Sequence, residues 1–167
     1  MAFNSTLSSS SANSYVSVAE ADDYFSLRFS SALWSISTAI KQQLLVTATK
    51  RLENELFQGV KTIPTQSLKF PRVGISDSDG YVINPSTMPI IMLEATCEMA
   101  YSYLEEKQFT TEQLQNLVSY SASLGSLSES YSLKNTVVTD IPFRVQTILA
   151  SMRFYISASR KTTSILR

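Results

Sequence analysis

Histidine is absent from all 167 residues. With it go the commonest general base, the usual Ser–His and Cys–His pairs, and most transition-metal sites. A single cysteine, Cys97, excludes an intramolecular disulfide framework and a cysteine-based zinc site, and fits synthesis in a reducing cytosol. Only four glycines are present, none in a Gly-rich loop before a helix, so no phosphate cradle is expected. No apolar run approaches the roughly 18 residues that span a bilayer. The N-terminus has neither a basic nor an apolar leader region, so no secretory signal is expected. Net charge is zero, which removes bulk attraction to nucleic acid or acidic membranes. Neither catalytic nor metal-ligating residues stand out, and no cofactor is implied.

What is present is enough to build one domain. Hydrophobic residues make up 44% of the chain and charged ones only 17%, with serine supplying much of the polar surface. Residues 1–14 form a Ser-rich arm with too few apolar groups to fold alone. It could be pinned by a neighbouring subunit or lie on its own domain. Residues 15–157 make the domain, and 158–167 a tail.

The domain opens with a capping box, Ser17 and Glu20, each satisfying an amide that the first turn leaves unpaired. Val18, Ala21, Phe25 and Phe29 then recur at helical spacing. Trp34, in the connection that follows, reads as a core anchor. From Ser37 to Phe57, Ile40, Leu44, Ala48, Leu52 and Leu56 recur every four residues, predicting a helix about five turns long. This second helix is expected to be the internal strut against which the others pack.

Residues 59–89 hold four of the five prolines and predict a long irregular insertion. Its centre reads as two short extended runs around an Asp79-Gly80 turn. Asp77, Asp79 and Gly80 mimic the start of a calcium loop, but Met88 stands where a bidentate carboxylate is needed, so a plain turn is the better reading. Ser86 or Thr87 is expected to cap a third helix with Pro89 in its first turn. Ile90, Leu93, Cys97, Ala100, Tyr101 and Leu104 give that helix an apolar face. Cys97 reads as a small core residue, with no histidine to activate it. Glu94 and Glu98 read as a solvated acidic face or an inter-subunit contact; paired catalytic carboxylates carry far less weight.

Thr111–Val118 suggests a weaker helix, and residues 120–133 suggest two short strands or one bent one, able to pair with Gln66–Phe70 or with the 72–83 hairpin. Asp140 and Pro142 begin a last helix with Val145, Ile148, Leu149, Met152 and Ile156 facing inward. The fold expected is mainly α: a four-helix bundle-like core with a long inserted β-hairpin and loop region and a second short strand segment. Residues 140–167 carry five basic groups against one acid, whereas 94–114 carry five acids against Lys107. These poles suit either docking between subunits or partners, or pairing of the two helices within one chain.

Local motifs fall into a recognisable order. Tyr15 to Phe25 comes first, followed by Trp34, Leu45 to Leu52, and Phe57-Gln-Gly59. Gln66-Ser-Leu-Lys-Phe-Pro-Arg72, Met88-Pro89, Glu94 to Ala100, and Leu124 to Tyr131 complete the set. In this order the chain, over roughly residues 15–150, resembles the tailed-bacteriophage family labelled DnaT-like single-stranded DNA-binding protein. Members of that family are encoded among head and neck genes and resemble head-to-tail connector adaptors. The Ser-rich arm and the long tail depart from the pattern.

The resemblance implies a non-enzymatic ring of twelve copies beneath the portal protein, located in the virion neck after assembly in the bacterial cytoplasm. Double-stranded DNA would pass through its lumen, a neck or tail protein would bind below, and no membrane is involved. It further implies that Arg153, Arg160, Lys161, Ile165, Leu166 and Arg167 dock on the portal. Ser17, Glu20, Trp34, Phe70, Pro71 and Arg72 would be the structural motif residues. Arg72 is expected to be structural, with a contact across a ring interface as the alternative. A different class of function, single-stranded DNA binding, would require a basic groove interleaved with aromatics. The basic residues do not cluster near the aromatics in sequence.

Overall fold

A computed structural model describes residues 2–108, 119–124, 127–132, 141–151 and 155–156. Among the described residues the architecture is mainly α, with four helices and a small inserted strand region. Helix α1 spans Val18–Leu27, a short 3-10 turn covers Ala32–Trp34, and α2 spans Thr38–Leu52. Helices α3, Ile90–Gln108, and α4, Phe143–Ser151, follow. Six short strands are β1 Leu56–Phe57, β2 Val60–Lys61, β3 Arg72–Val73, β4 Ser119–Leu124, β5 Leu127–Ser132 and β6 Tyr155–Ile156. They pair antiparallel as β1–β6, β2–β3 and β4–β5. Residues 119–124 and 127–132 therefore pair with each other, and among the described residues neither strand pairs with the 66–83 insertion.

The strut is α3 rather than α2. Helix α3 packs on α1, the 3-10 turn, α2 and α4. Every residue from Ala95 to Ser102 is buried. A helix buried over eight consecutive positions has no solvent face and belongs at the centre. Ile90, assigned to the apolar face by its spacing, is exposed because it stands at the helix's outer end.

Helix α2 stops five residues earlier than its periodicity predicts. Leu45, Ala48, Thr49 and Leu52 are its buried side, while Ile40 and Leu56 are exposed. Beyond Leu52 the chain serves tertiary partners. The Glu53 carboxylate accepts from the Lys69 amide at 2.8 Å and from the Tyr15 hydroxyl. Leu56 and Phe57 then pair with Ile156 and Tyr155. Ile156, expected on the last helix, accordingly lies in a strand.

At α1 the capping box is complete: Glu20 N donates to Ser17 Oγ, and Ser17 N donates to Glu20 Oε2. Ala21 and Phe25 are buried as expected, but Phe29 is 96% exposed because α1 has ended at Leu27. Neither Ser86 nor Thr87 caps α3. The Pro89 carbonyl accepts the Met92 and Leu93 amides, and Thr87 Oγ1 turns back to Asn84 O. The cap expected at Asp140, the Thr111–Val118 helix and Met152 lie outside the described residues.

The insertion is held by polar side chains that satisfy its backbone, since its strands are too short to do so. Gln66, buried, donates to the carbonyls of Leu68 and Pro71 and accepts from Ile63 N. Asp77 Oδ1 accepts from the amides of Asp79 and Tyr81, closing the expected turn with Gly80 at φ 94°. Gly59 is at φ 73°, and a Cβ there would lie 2.3 Å from Val73 O. Only glycine fits.

The Ser-rich arm lies on its own domain. Asn4 and Asn13 bond each other through backbone and side chain. Ser67 Oγ donates to the carbonyls of Ser9 and Ala12, and Ser67 N donates to Ser9 O. Phe3 packs against the core. No neighbouring subunit is required to place it.

Candidate functional site

The densest polar constellation among the described residues surrounds Glu98 at the middle of α3. Its side chain is buried, at 3% residue exposure, yet it meets two guanidinium groups. Arg28, just past α1, donates through Nε to Oε1 at 2.5 Å and through a terminal nitrogen to Oε2 at 3.1 Å. Arg144, in the first turn of α4, brings Nε to 2.7 Å from Oε2 and also pairs with Glu105. The Tyr24 hydroxyl donates to Oε1 at 2.8 Å. Tyr101 lies beneath both cations, 4.2 Å from the Arg28 guanidinium and 5.8 Å from that of Arg144.

One carboxylate thus joins three helices. A buried charge costs several kcal/mol unless its lone pairs are filled, and here they accept from Tyr24 on α1 and from Arg28 just after it, while Arg144 on α4 adds an ionic contact. Burial, reinforced by the hydrogen bond to Glu98, pushes the Tyr24 phenol well up. For Arg28, burial works against the charge, but Glu98 outweighs it and the pKa rises. Burial likewise drives the Cys97 thiol far up, so it stays protonated and inert as a nucleophile at neutral pH. The arrangement is a clamp. It presents no activated nucleophile and no open coordination position.

This corrects the reading of Glu98 as part of a solvated acidic face. It also shows that the acidic and basic poles meet, at least at Arg144, by pairing within one chain. The sequence carried no clear signal for this: Glu94, Ser102 and Glu105 share a helical face with Glu98, so spacing alone reads that face as polar.

A second knot ties the insertion. Arg72, nearly buried, donates to the carbonyls of Gln58, Lys69, Phe57 and Gly59 at 2.6, 3.2, 3.2 and 2.5 Å. Burial without a directly paired carboxylate lowers its pKa. Phe70 is buried edge-on to Tyr15 and Phe57, and its peptide to Pro71 is cis. A third group surrounds Trp34, which is buried against Phe25 and donates its indole N–H to Asp22 Oδ1 at 2.7 Å. Lys41 Nζ meets the same oxygen at 2.8 Å. An open cleft of about 250 Å³ adjoins them.

Of the residues singled out from sequence, Ser17 and Glu20 form the α1 cap, while Trp34, Phe70, Pro71 and Arg72 are buried. Arg153, Arg160, Lys161, Ile165, Leu166 and Arg167 lie outside the described residues. Among the described residues no group of three histidine, cysteine or acidic side chains could hold a metal, and no helix is long and apolar enough to cross a membrane.

A family model described as "Putative DnaT-like ssDNA binding protein" matches residues 2–167. The chain belongs to this family. The match includes the Ser-rich arm and the C-terminal tail, so neither departs from the DnaT-like pattern, contrary to the expectation from the motifs. No curated protein and no solved structure matches the chain. In this DnaT-like fold, the clamp residues Arg28, Glu98 and Arg144 went unrecognised in the sequence because they meet only once three helices have packed.

Proposed function

We propose that this DnaT-like protein is a non-enzymatic structural adaptor of a tailed phage, forming a ring under the portal that extends the DNA channel and recruits neck or tail components. One observation carries the reading: among the described residues most cations are spent inside the domain. Arg28 and Arg144 serve Glu98, Arg72 serves backbone carbonyls, Lys41 serves Asp22 and Arg51 serves Glu55. The surface meanwhile exposes Leu27, Phe29 and Phe143, which suit protein contacts. The neutral overall charge also lets DNA slide through a lumen without being held.

Single-stranded DNA binding is the second reading, favoured by the family's description. It calls for exposed aromatics beside free cations. Tyr15, Phe25, Trp34, Phe57, Phe70 and Tyr101 are instead buried, and the exposed Phe29 and Phe143 stand beside Arg28 and Arg144, whose charges are paired with Glu98.

Imaging of particles tests the adaptor directly: a ring of this chain between portal and tail is expected. Tight oligonucleotide binding that weakens steeply with salt, with no such ring, would replace the adaptor by the DNA-binding reading. Deleting Ser159–Arg167 is expected to abolish portal attachment and leave the domain folded; retained attachment would remove the docking role from Arg160, Lys161, Ile165, Leu166 and Arg167.

A further inference from the structure

The Ser-rich arm makes most of its polar bonds within itself. Asn13 N donates to Asn4 O at 2.8 Å, Asn4 N to Asn13 Oδ1 at 2.9 Å, and Asn13 Nδ2 to Ala2 O at 2.7 Å. These bonds close residues 4–13 into a loop whose ends meet. Inside it, Asn4 Oδ1 accepts from Thr6 N and Asn4 Nδ2 donates to Ser11 Oγ, each at 2.9 Å. The chain reverses at Ser8, which sits at φ 59°. A compact loop with its ends together and its own side chains as filling is an Ω-loop in kind.

Its hold on the domain is slight by comparison. Among the described residues, the polar ties from residues 2–13 to anything beyond Ser14 run to Ser67. The Ser67 hydroxyl donates to Ala12 O at 2.6 Å and lies 3.1 Å from Ser9 O, and Ser67 N donates to Ser9 O at 3.1 Å. Ala12 is buried, and Phe3 packs partly buried against the core. The residues that follow are fixed far more firmly. Ser14, Tyr15 and Val16 are buried, Ser14 Oγ donates to Val16 O at 2.7 Å, and Tyr15 N donates to the buried Thr49 hydroxyl at 3.1 Å. Firm attachment therefore ends abruptly at the Asn13–Ser14 link. Beneath the loop runs a narrow seam floored by Gln66, Leu68, Phe70 and Met88.

We propose that residues 2–13 are a strap that opens and closes on the domain as one unit, hinged at the Asn13–Ser14 link and latched by Ser67, and that opening uncovers Leu68, Phe70 and Met88. A segment with few buried apolar contacts opens at a free energy far below that of the global fold. Off the domain the loop has too few apolar groups to stay closed, so docking and closure are one event. The latch at Ser67 and the closure at Asn4 are thereby coupled, although no hydrogen bond joins the two residues. The strap needs neither a ring nor a portal, and its test reads the free chain.

Amide hydrogen exchange of the full chain, resolved by NMR, provides that test. The amides of Asn4, Thr6, Asn13 and Ser67 should share one protection factor, well below that of the buried α3 amides. Ser67→Ala removes the latch hydroxyl from an exposed residue, so the melting temperature and α3 protection should not change. The Asn4, Thr6 and Asn13 amides should then lose protection by one common factor, about 5–10-fold for one hydrogen bond. Asn4→Ala should act in the reverse direction and speed exchange at the Ser67 amide. Peroxide oxidation of Met88, read by mass spectrometry, should quicken in both variants, while Met92 and Met99, fully buried in α3, react as slowly as in the parent. Arm amides with unrelated protection in the parent would overturn the proposal. So would a Ser67→Ala effect confined to its own neighbours, an Asn4→Ala variant with the Ser67 amide unchanged, α3 loosened in step with the arm, or Met88 no faster.

Discussion

Arg28 and Glu98, 70 positions apart in the chain, are joined by hydrogen bonds of 2.5 and 3.1 Å in the interior of the domain. The pair fastens the end of α1 to the middle of α3, and Arg144 fastens α4 to the same carboxylate. Removing one side of such an arrangement leaves the other buried and uncompensated.

Glu98→Gln should therefore destabilise the domain by about 3 kcal/mol, the cost typical of breaking a buried ion pair from one side. The side chain keeps its shape, so the loss reports charge rather than packing. Urea unfolding measures it. Arg144→Ala should cost clearly less, since that side chain is about one-third exposed and water screens its charge. Equal losses in the two variants would mean that Glu98 is held by geometry alone.

Arg72→Lys should lower the melting temperature by about 4–8 °C, corresponding to roughly 2 kcal/mol for a domain of this size. A lysine has no planar fork and cannot reach all four carbonyls that Arg72 serves. A melt unchanged within a degree would show that water replaces the guanidinium without penalty.

Gly59→Ala should cost about 2 kcal/mol from backbone strain, before any clash is counted. Its φ of 73° is unfavourable for alanine, and the added methyl would meet Val73 O at 2.3 Å. Calorimetric unfolding of the purified variant checks it. A neutral effect would mean that β2 and β3 separate readily.

Alkaline pH should weaken the fold through its buried phenols. Burial, with Glu53 beside it, raises Tyr15; burial, with Glu98, raises Tyr24; and burial, with Glu55, pushes Tyr155 up to about 12. A phenol with a raised folded-state pKa contributes stability that is complete below its unfolded value near 10. That contribution is lost as pH climbs from there through the folded value, because the unfolded chain then holds fewer protons. Phenolate absorbance from these three residues should appear together with unfolding. Their titration inside an intact fold, followed by circular dichroism, would refute the assignment.

Asp22 acts at the other end of the scale. Burial opposes its charge, but hydrogen bonds from Lys41 and the Trp34 indole prevail and hold its pKa low. Its contribution is present above the unfolded carboxylate value near 3.9 and is lost as pH falls through the lower folded value. Asp22→Asn should flatten that part of the acid limb in a series of urea midpoints against pH. An unaltered limb would assign acid unfolding to other carboxylates.

Local chemistry made much of this protein legible. The Ser17–Glu20 capping box, the Trp34 anchor, the Asp79-Gly80 turn and four helices around an inserted strand region all follow from spacing and turn preferences. Those depend on residues within a few positions of one another, and a linear reading captures them. Absences were equally informative: without histidine, Ser–His and Cys–His pairs are excluded.

What only the tertiary structure decided is which helix lies inside and where each helix ends. Periodicity ranks α2 first because its stripe is clean, yet the central helix is α3, whose pattern is blurred because every side is buried. Strand pairing with Tyr155 and Ile156, about 100 positions away, halts α2 at Leu52 and outweighs a repeat that extends to Leu56. Phe29 fits the apolar spacing of α1 and is nevertheless thrown outward once Arg28 turns in to Glu98. In each case a long-range contact worth more than a local preference settled the outcome, and such contacts have no linear signature.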